Sequence, residues 1–383
     1  MRRVVITGIG IYSCIGKNLE EVKESLQEGK SGIILDPERK EMGYRSGLTG
    51  YVEEPDLKKE LGRRQRVGLS EEAKYAYVAT KEALEYAKLD LDYIEKNEVG
   101  ILYGNDSSAA AVTHAVDVIR EKKDTSLVGS GSIFQSMNCT ITMNLSTIFK
   151  LKGINFTISA ACASGSHSIG MAYFLIQNGW QDIIVTGGGQ EVNKYAFGNF
   201  DGLGAFSVLE SDPTKASRPF DKDRDGLIPS GGAATVIVES YESAIKRGAP
   251  ILAEIKGYGF SSNGEHISNP NKDGQIRSLS KAIAQSQLKI SDFDYINAHA
   301  TSTPVGDTFE AQALSELFGK SVPVSSTKSM TGHECWMAGA SEIVYSILMM
   351  QNDFVAPNIN FESPDEASKE LNIVAEKLDK KID

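Results

Sequence analysis

Short apolar runs alternate along this chain with longer stretches of helical periodicity. Val4–Ile9 reads as a first buried strand, and Leu19–Glu28 as a helix. Ser70–Ala87 is predicted as a second helix, with Ser70 as its cap and Glu71-Glu72 in its first turn. Val99–Tyr103, Ile154–Ile158 and Asp182–Val185 follow as strands, the last ending in Gly187-Gly188-Gly189. The rhythm then repeats: strand Ala233–Glu239, helix Ser240–Arg247, strand Ala253–Tyr258, helix Gln275–Gln287, strand Tyr295–Ala298, helix Thr308–Leu317, strand Val322–Ser325 and helix Ala340–Gln351. Such alternation predicts an α/β protein with mainly parallel strands. Two similar runs suggest a duplicated unit divided as 1–214 and 215–383, with the Pro/Gly/charge-rich stretch Lys215–Gly232 opening the second half.

One stretch departs from the ordinary mixture of polar and apolar positions. From Ile154 through Gln181 there is no Asp, Glu, Lys or Arg. A strand, a cluster of small residues around Cys162, and a helix from Ser166 that is apolar on nearly all sides make this the predicted centre of the molecule. Cys162 then lies at the strand-to-helix turn, where the helix N-terminus favours thiolate. Ala160, Ala161, Ala163, Ser164 and Gly165 leave space for a substrate. An inert buried cysteine is the ordinary alternative.

Composition narrows the function classes. The chain has 383 residues and a formal net charge of −11, which argues against a general nucleic-acid binder. No apolar run approaches the roughly 20 residues that span a bilayer. Arg2-Arg3 resembles the start of a leader, but Val4–Ile9 reads as a core strand and no small-residue cleavage site follows. Four irregularly spaced cysteines then indicate reduced thiols and a cytoplasmic setting.

Three motif fragments fail on inspection. Asp221–Gly226 (DKDRDG) begins like a calcium loop, but its twelfth position is Gly232 rather than Glu. Gly8-Ile9-Gly10 lacks the last glycine of a dinucleotide fingerprint. His333-Glu334 opens like a zinc-protease motif without its second His. No metal is expected. His299 and His333, however, each follow a predicted strand in the second half, as Cys162 does in the first. Three reactive groups at strand ends converge where open α/β sheets build active sites.

On these residues the chain resembles a known family. SAACASGSHSIG, NAHATSTPVGD, STKSMTGH and RPFDKDRDGLIPSGGAA look like the signature segments of β-ketoacyl-ACP synthases, the elongating condensing enzymes, and are more similar to type I than to type II. The resemblance runs in order over nearly the whole chain. It implies the thiolase fold, with two βαβαβαββ halves in five layers, usually as a homodimer. It implies Cys162 as acylated nucleophile, His299 and His333 as paired histidines, Lys328 as active-site lysine and Glu342 as its acid. Thr301 and Thr303 match the threonines that hold the phosphopantetheine arm. The implied reaction condenses an acyl-Cys enzyme with malonyl-ACP by decarboxylation and needs no cofactor beyond carrier-bound thioesters. Acyl carrier protein is the implied partner; being acidic, it would dock on local basic clusters of this acidic chain, with Arg63, Arg64 and Arg66 foremost.

Two departures from the family pattern generate expectations. Trp336 stands where the family has Gly, so a narrowed or re-routed acyl pocket is expected. The family also continues into a Gly-rich NSFGFGGTN loop that supplies an oxyanion donor; ending at Asp383, residues 1–383 alone are expected to condense slowly. A non-catalytic chain-length partner subunit is the alternative reading, and the presence of Cys162 argues against it.

Overall fold

A computed structural model describes residues 1–383. Six strands form the first sheet: β1 (Val4–Ser13), β2 (Val99–Gly104), β3 (Asn155–Ile158), β4 (Ile183–Gln190), β5 (Gly232–Ser240) and β6 (Ala253–Glu254), in the order β3-β2-β4-β5-β1-β6. Their side chains alternate between two cores, as a pleat requires. Ile101, Tyr103, Val185 and Ile237 face helix α1 (Glu71–Tyr86), while Leu102, Ile184, Val236 and Val238 face the opposite way. Ser70 caps α1 by accepting a hydrogen bond from the Ala73 N–H.

The other side of the sheet is covered by α2 (Ser164–Gln177) and, later in the chain, α5 (Ala338–Gln351); Ile169, Tyr173, Val344 and Tyr345 fill that core. Because both helices are sandwiched, neither carries a polar stripe. Tyr295 and Val374 join the same core from a second sheet. That sheet has three parallel strands, β7 (Ile296–Asn297), β8 (Pro323–Ser325) and β9 (Asn372–Ile373), with β8 in the middle. Helices α3 (Lys272–Ser286) and α4 (Pro304–Phe318) close its outer face through Leu279, Ile283, Ala311, Leu314 and Phe318. Helix, sheet, helix pair, sheet and helix thus stack as the five layers of a thiolase fold.

The first sheet is less parallel than the alternation predicted. β2, β3 and β4 run parallel, but β5 is antiparallel to both β4 and β1. Residues 191–231, between β4 and β5, contain only the short helices Gly198–Leu203 and Pro213–Lys215, and no long crossover helix carries the chain back for a parallel return. β5, read in sequence as the first strand of the second half, is therefore a central strand of the first sheet. The glycines Gly187–Gly189, read as a strand end, lie inside β4. A Cβ on Gly188 would sit 2.6 Å from Trp336 O, so only glycine lets the later chain approach there.

Candidate active site

Cys162 lies on the turn between β3 and α2. Ala161 precedes it with φ +48°, a left-handed conformation unusual for alanine. Ser164 pins the turn: its Oγ donates to Ala161 O at 2.7 Å and accepts from Ala160 N at 2.8 Å. The first turns of α2 and α5 then press together. A Cβ on Gly339 would lie 2.7 Å from Ser166 N, and one on Gly165 3.0 Å from Ala340 N. This close crossing brings the loop before α5, with His333, onto the cysteine.

His333 Nε2 is 2.9 Å from Cys162 Sγ. Its Nδ1 receives the Cys335 backbone N–H at 3.3 Å. A backbone N–H can only donate, so Nδ1 is an acceptor and the proton of the neutral ring is on Nε2. His333 thus offers an N–H to the sulfur. His299, at the end of β7, stands edge-on to His333 with ring centroids 5.1 Å apart at 88°. A sulfur and an imidazole nitrogen from each ring all lie within 4.8 Å of one another. A thiol and two imidazoles are donors that zinc accepts, but zinc bound there would occupy the nucleophile.

His333 is buried and Cys162 half-buried, while His299 reaches solvent. Burial pushes the Cys162 thiol up to about 11, opposed by the charge of Lys328. Desolvation of a charged sulfur thus opposes the thiolate that the helix N-terminus and Lys328 favour. Burial and Lys328 together hold His333 down at about 3. The enclosing protein, Lys328 and His333 keep His299 well below the ordinary histidine range, although its ring reaches solvent. Both imidazoles are consequently neutral at physiological pH.

Lys328 is almost fully buried and is paired with Glu342, on the second turn of α5. Thr301 and Thr303 lie on the loop after His299, with Oγ1 atoms 3.1 Å apart. Buried Asp307 shapes that loop by accepting the N–H groups of Thr301 at 3.0 Å, Ser302 at 3.2 Å and Thr303 at 3.2 Å. Arg63, Arg64 and Arg66 are away from this cluster, on the short helix Arg63–Arg66. Arg63 and Arg64 are exposed, and Arg66 Nε donates to Leu61 O at 3.0 Å. The acidic run at 221–225 is used for loop building: Asp221 is fully buried and accepts the N–H groups of Glu362 and Ser363, each at 2.8 Å. Trp336 is buried, its ring centroid 6.3 Å from that of Phe200.

Two carboxyls at the site were not assigned to it from the sequence. Glu310 accepts the His299 backbone N–H at 2.8 Å, and burial raises it to about 7. Glu334 is buried beside His333, receives Tyr345 OH at 2.8 Å and is likewise raised to about 7 by burial. Glu310 was signalled only by its place one turn beyond Asp307 on α4, a spacing that turns a side chain back toward the strand end.

Comparison with known proteins agrees with this geometry. Residues 1–244 match the family described as "Beta-ketoacyl synthase, N-terminal domain", and 252–362 match "Beta-ketoacyl synthase, C-terminal domain". The chain is 42% identical over 379 residues to 3-oxoacyl-[acyl-carrier-protein] synthase 1 of Haemophilus influenzae, covering 98% of this chain and 92% of that protein. It is 40% identical over 386 residues to the protein of the same name from Escherichia coli K12, covering 100% and 94%. A crystal structure of a β-ketoacyl synthase from Burkholderia phymatum superposes with TM-score 0.93 at 34% identity, covering 99% of this chain and 94% of that one. A type II polyketide ketosynthase, bound to a hexaketide and in complex with its acyl-carrier protein, superposes with TM-score 0.87 at 28% identity, covering 100% and 94%. With a Cys–His–His cluster at the meeting of its two sheets and both domain families matched in order, the chain belongs to the β-ketoacyl synthase family.

Proposed function

We propose that this protein is a 3-oxoacyl-[acyl-carrier-protein] synthase that lengthens acyl chains by decarboxylative Claisen condensation. The observation that carries the reading is the 2.9 Å contact between His333 Nε2 and Cys162 Sγ, with His299 edge-on beside it. In the first step Cys162 Sγ attacks an acyl thioester. Its proton leaves with the departing carrier thiol, and the acyl group moves from one sulfur to another at little net energy cost. In the second step a malonyl thioester loses CO2. The electron pair of the broken C–C bond passes into an enolate, whose oxygen needs fixed donors. Neutral His299 and His333 provide N–H groups there without acting as bases. The enolate carbon then attacks the acyl carbon on Cys162, and the C–S bond breaks. The product is a 3-oxoacyl thioester, and the thiolate recovers a proton.

Lys328, with its charge balanced by Glu342, is a positioning residue that adds to burial in keeping both imidazoles neutral. Thr301 and Thr303 hold the phosphopantetheine arm. No cofactor takes part beyond the carrier-bound thioesters, and the reaction belongs to the cytoplasm. No helix is long and apolar enough to cross a membrane. A non-catalytic partner subunit is the weaker reading, because the Cys–His contact would then have no use.

The partner is acyl carrier protein, docked at Arg63, Arg64 and Arg66. Incubation with acyl-ACP and malonyl-ACP is expected to yield 3-oxoacyl-ACP with release of CO2. Reversing the three arginines to Glu is expected to weaken acyl-ACP use in a salt-sensitive way and acyl-CoA use much less. Absence of the 3-oxo product sinks the reaction; equal losses with both donors sink the dock.

A further inference from the structure

His333 reaches Cys162 on a turn whose main chain is strained. Cys335 takes φ +46°, a left-handed conformation that residues with a side chain rarely adopt. It is this residue that points its backbone N–H at His333 Nδ1. At His333 the main chain is tied to residues 228–230: its N–H donates to Ile228 O at 2.7 Å, and its O accepts the Ser230 N–H at 2.9 Å. Past Cys335, the Met337 N–H donates to Glu334 O at 3.0 Å, and the Glu334 side chain ties the turn to α5. Glu334 is 1% exposed; Tyr345 OH donates to its Oε1 at 2.8 Å, and Ser341 Oγ lies against its Oε2.

Three contacts meet in this clamp, and its hydroxyls supply two hydrogens. Tyr345 gives one to Oε1. Ser341 has one hydrogen and two acceptors in reach, Glu334 Oε2 and Ala338 O at 2.9 Å. A proton on Oε2 fills the third contact, with Glu334 donating to Ser341 and Ser341 to Ala338 O. Charge points the same way. Glu334 has no ion pair of its own, since nearby Lys328 is paired with Glu342. An unpaired buried carboxylate is costly, and burial raises Glu334 to about 7. The ionisable groups around it are Lys328, Glu342 and Tyr345, Cys14 just past β1, and its chain neighbours His333 and Cys335.

Resting on the condensing-enzyme reading, we propose that Glu334 is a positioning residue for decarboxylation, acting as a neutral acid through His333. By tying the turn to α5 it keeps the Cys335 N–H on Nδ1, and so keeps the ring in the tautomer that offers Nε2–H to the enolate. Without the clamp the strained turn relaxes and Nδ1 loses its donor. The ring proton can then sit on Nδ1, which leaves Nε2 an acceptor. Such an acceptor still takes a hydrogen bond from the Cys162 thiol, but it cannot stabilise an enolate oxygen. Loss of the clamp therefore separates the two steps of the reaction. Ionisation of Glu334 has the same tendency: it removes one hydrogen from the clamp and adds negative charge beside the site, so decarboxylation falls as pH rises.

The test compares Cys162 acylation with CO2 release from malonyl-ACP across pH in the unaltered protein, Glu334→Leu and Glu334→Gln. Glu334→Leu is expected to lower decarboxylation about tenfold or more relative to acylation, within the roughly hundred- to thousandfold that one lost oxyanion donor costs. Glu334→Gln, whose amide donates to Ser341 and accepts from Tyr345, is expected to restore most of that loss. The unaltered protein is expected to lose decarboxylation on the alkaline side with a midpoint near the value of about 7 held by Glu334, and Glu334→Gln to move that fall to higher pH. Equal losses of both steps in Glu334→Leu overturn the proposal. An alkaline fall unmoved in Glu334→Gln also overturns it, and this readout remains should Glu334→Leu fail to fold. An unaltered protein that neither acylates Cys162 nor releases CO2 overturns the condensing-enzyme reading itself, so the two failures are distinguishable.

Discussion

Lys328 links the electrostatics of three other side chains. Its buried positive charge lowers the thiol of Cys162 and lowers both histidines, so one cation favours thiolate while keeping the imidazoles neutral. Removing that charge moves all three groups upward. In Lys328→Met, His333 and His299 are expected to take up protons at a higher pH than in the unaltered protein. An imidazolium does not present the same neutral donor, so the acid limb of malonyl decarboxylation should move toward neutral pH. The Cys162 thiol, already at about 11, should rise further and slow acylation. A pH–rate profile of decarboxylation with an unmoved acid limb would contradict this role. Single side chains were also where sequence was most legible. Cys162, His299 and His333 follow apolar strands and lie among small or turn-forming residues, a local pattern. Glu310 and Glu334 gave no such signal, because their importance depends on what distant segments place beside them.

Elements position the site through contacts between α2, β4 and α5. The helices cross at glycines, and Gly188 of β4 lies under the turn that carries Trp336. Gly188→Ala would set a Cβ 2.6 Å from Trp336 O, a backbone atom that cannot rotate away. The turn must shift, at a cost of about 1–3 kcal/mol of stability. Condensation is expected to fall more than stability does, since His333 reaches Cys162 through this turn. Chemical denaturation and condensation rates measured on the same variant check it; an unaltered rate would show that the packing does not set the Cys–His distance. The strand and helix pattern was largely legible from periodicity. The direction of β5 was not, because antiparallel pairing with β4 and β1 is a long-range choice. Gly188 misled for a related reason: its small size serves a segment nearly 150 positions later rather than a turn at hand.

At the scale of the whole molecule, the first sheet ends in an unpaired edge. β3 is bordered on one side only, and Phe156 on it is 53% exposed. Helix Ala110–Lys122 has no buried residue and exposes Val112, Val116 and Ile119. An open edge strand and apolar helical surface are liabilities unless covered. We propose that a second copy of the chain covers them, forming the homodimer that the family resemblance implies. Phe156→Asp is expected to shift the protein toward monomer in light scattering and to lower its melting temperature. A monomeric unaltered protein would contradict the proposal. The five-layer arrangement was accessible only through the family resemblance, since alternation alone predicts α/β without specifying two stacked sheets.

The central claim is that Cys162 carries the acyl group. Its most direct test is mass spectrometry of the intact protein after incubation with acyl-ACP, with the modified peptide then located. The account predicts a mass increase of one acyl group on Cys162, absent from Cys162→Ala. Acylation persisting in Cys162→Ala, or found on Cys14, Cys139 or Cys335 instead, would contradict it.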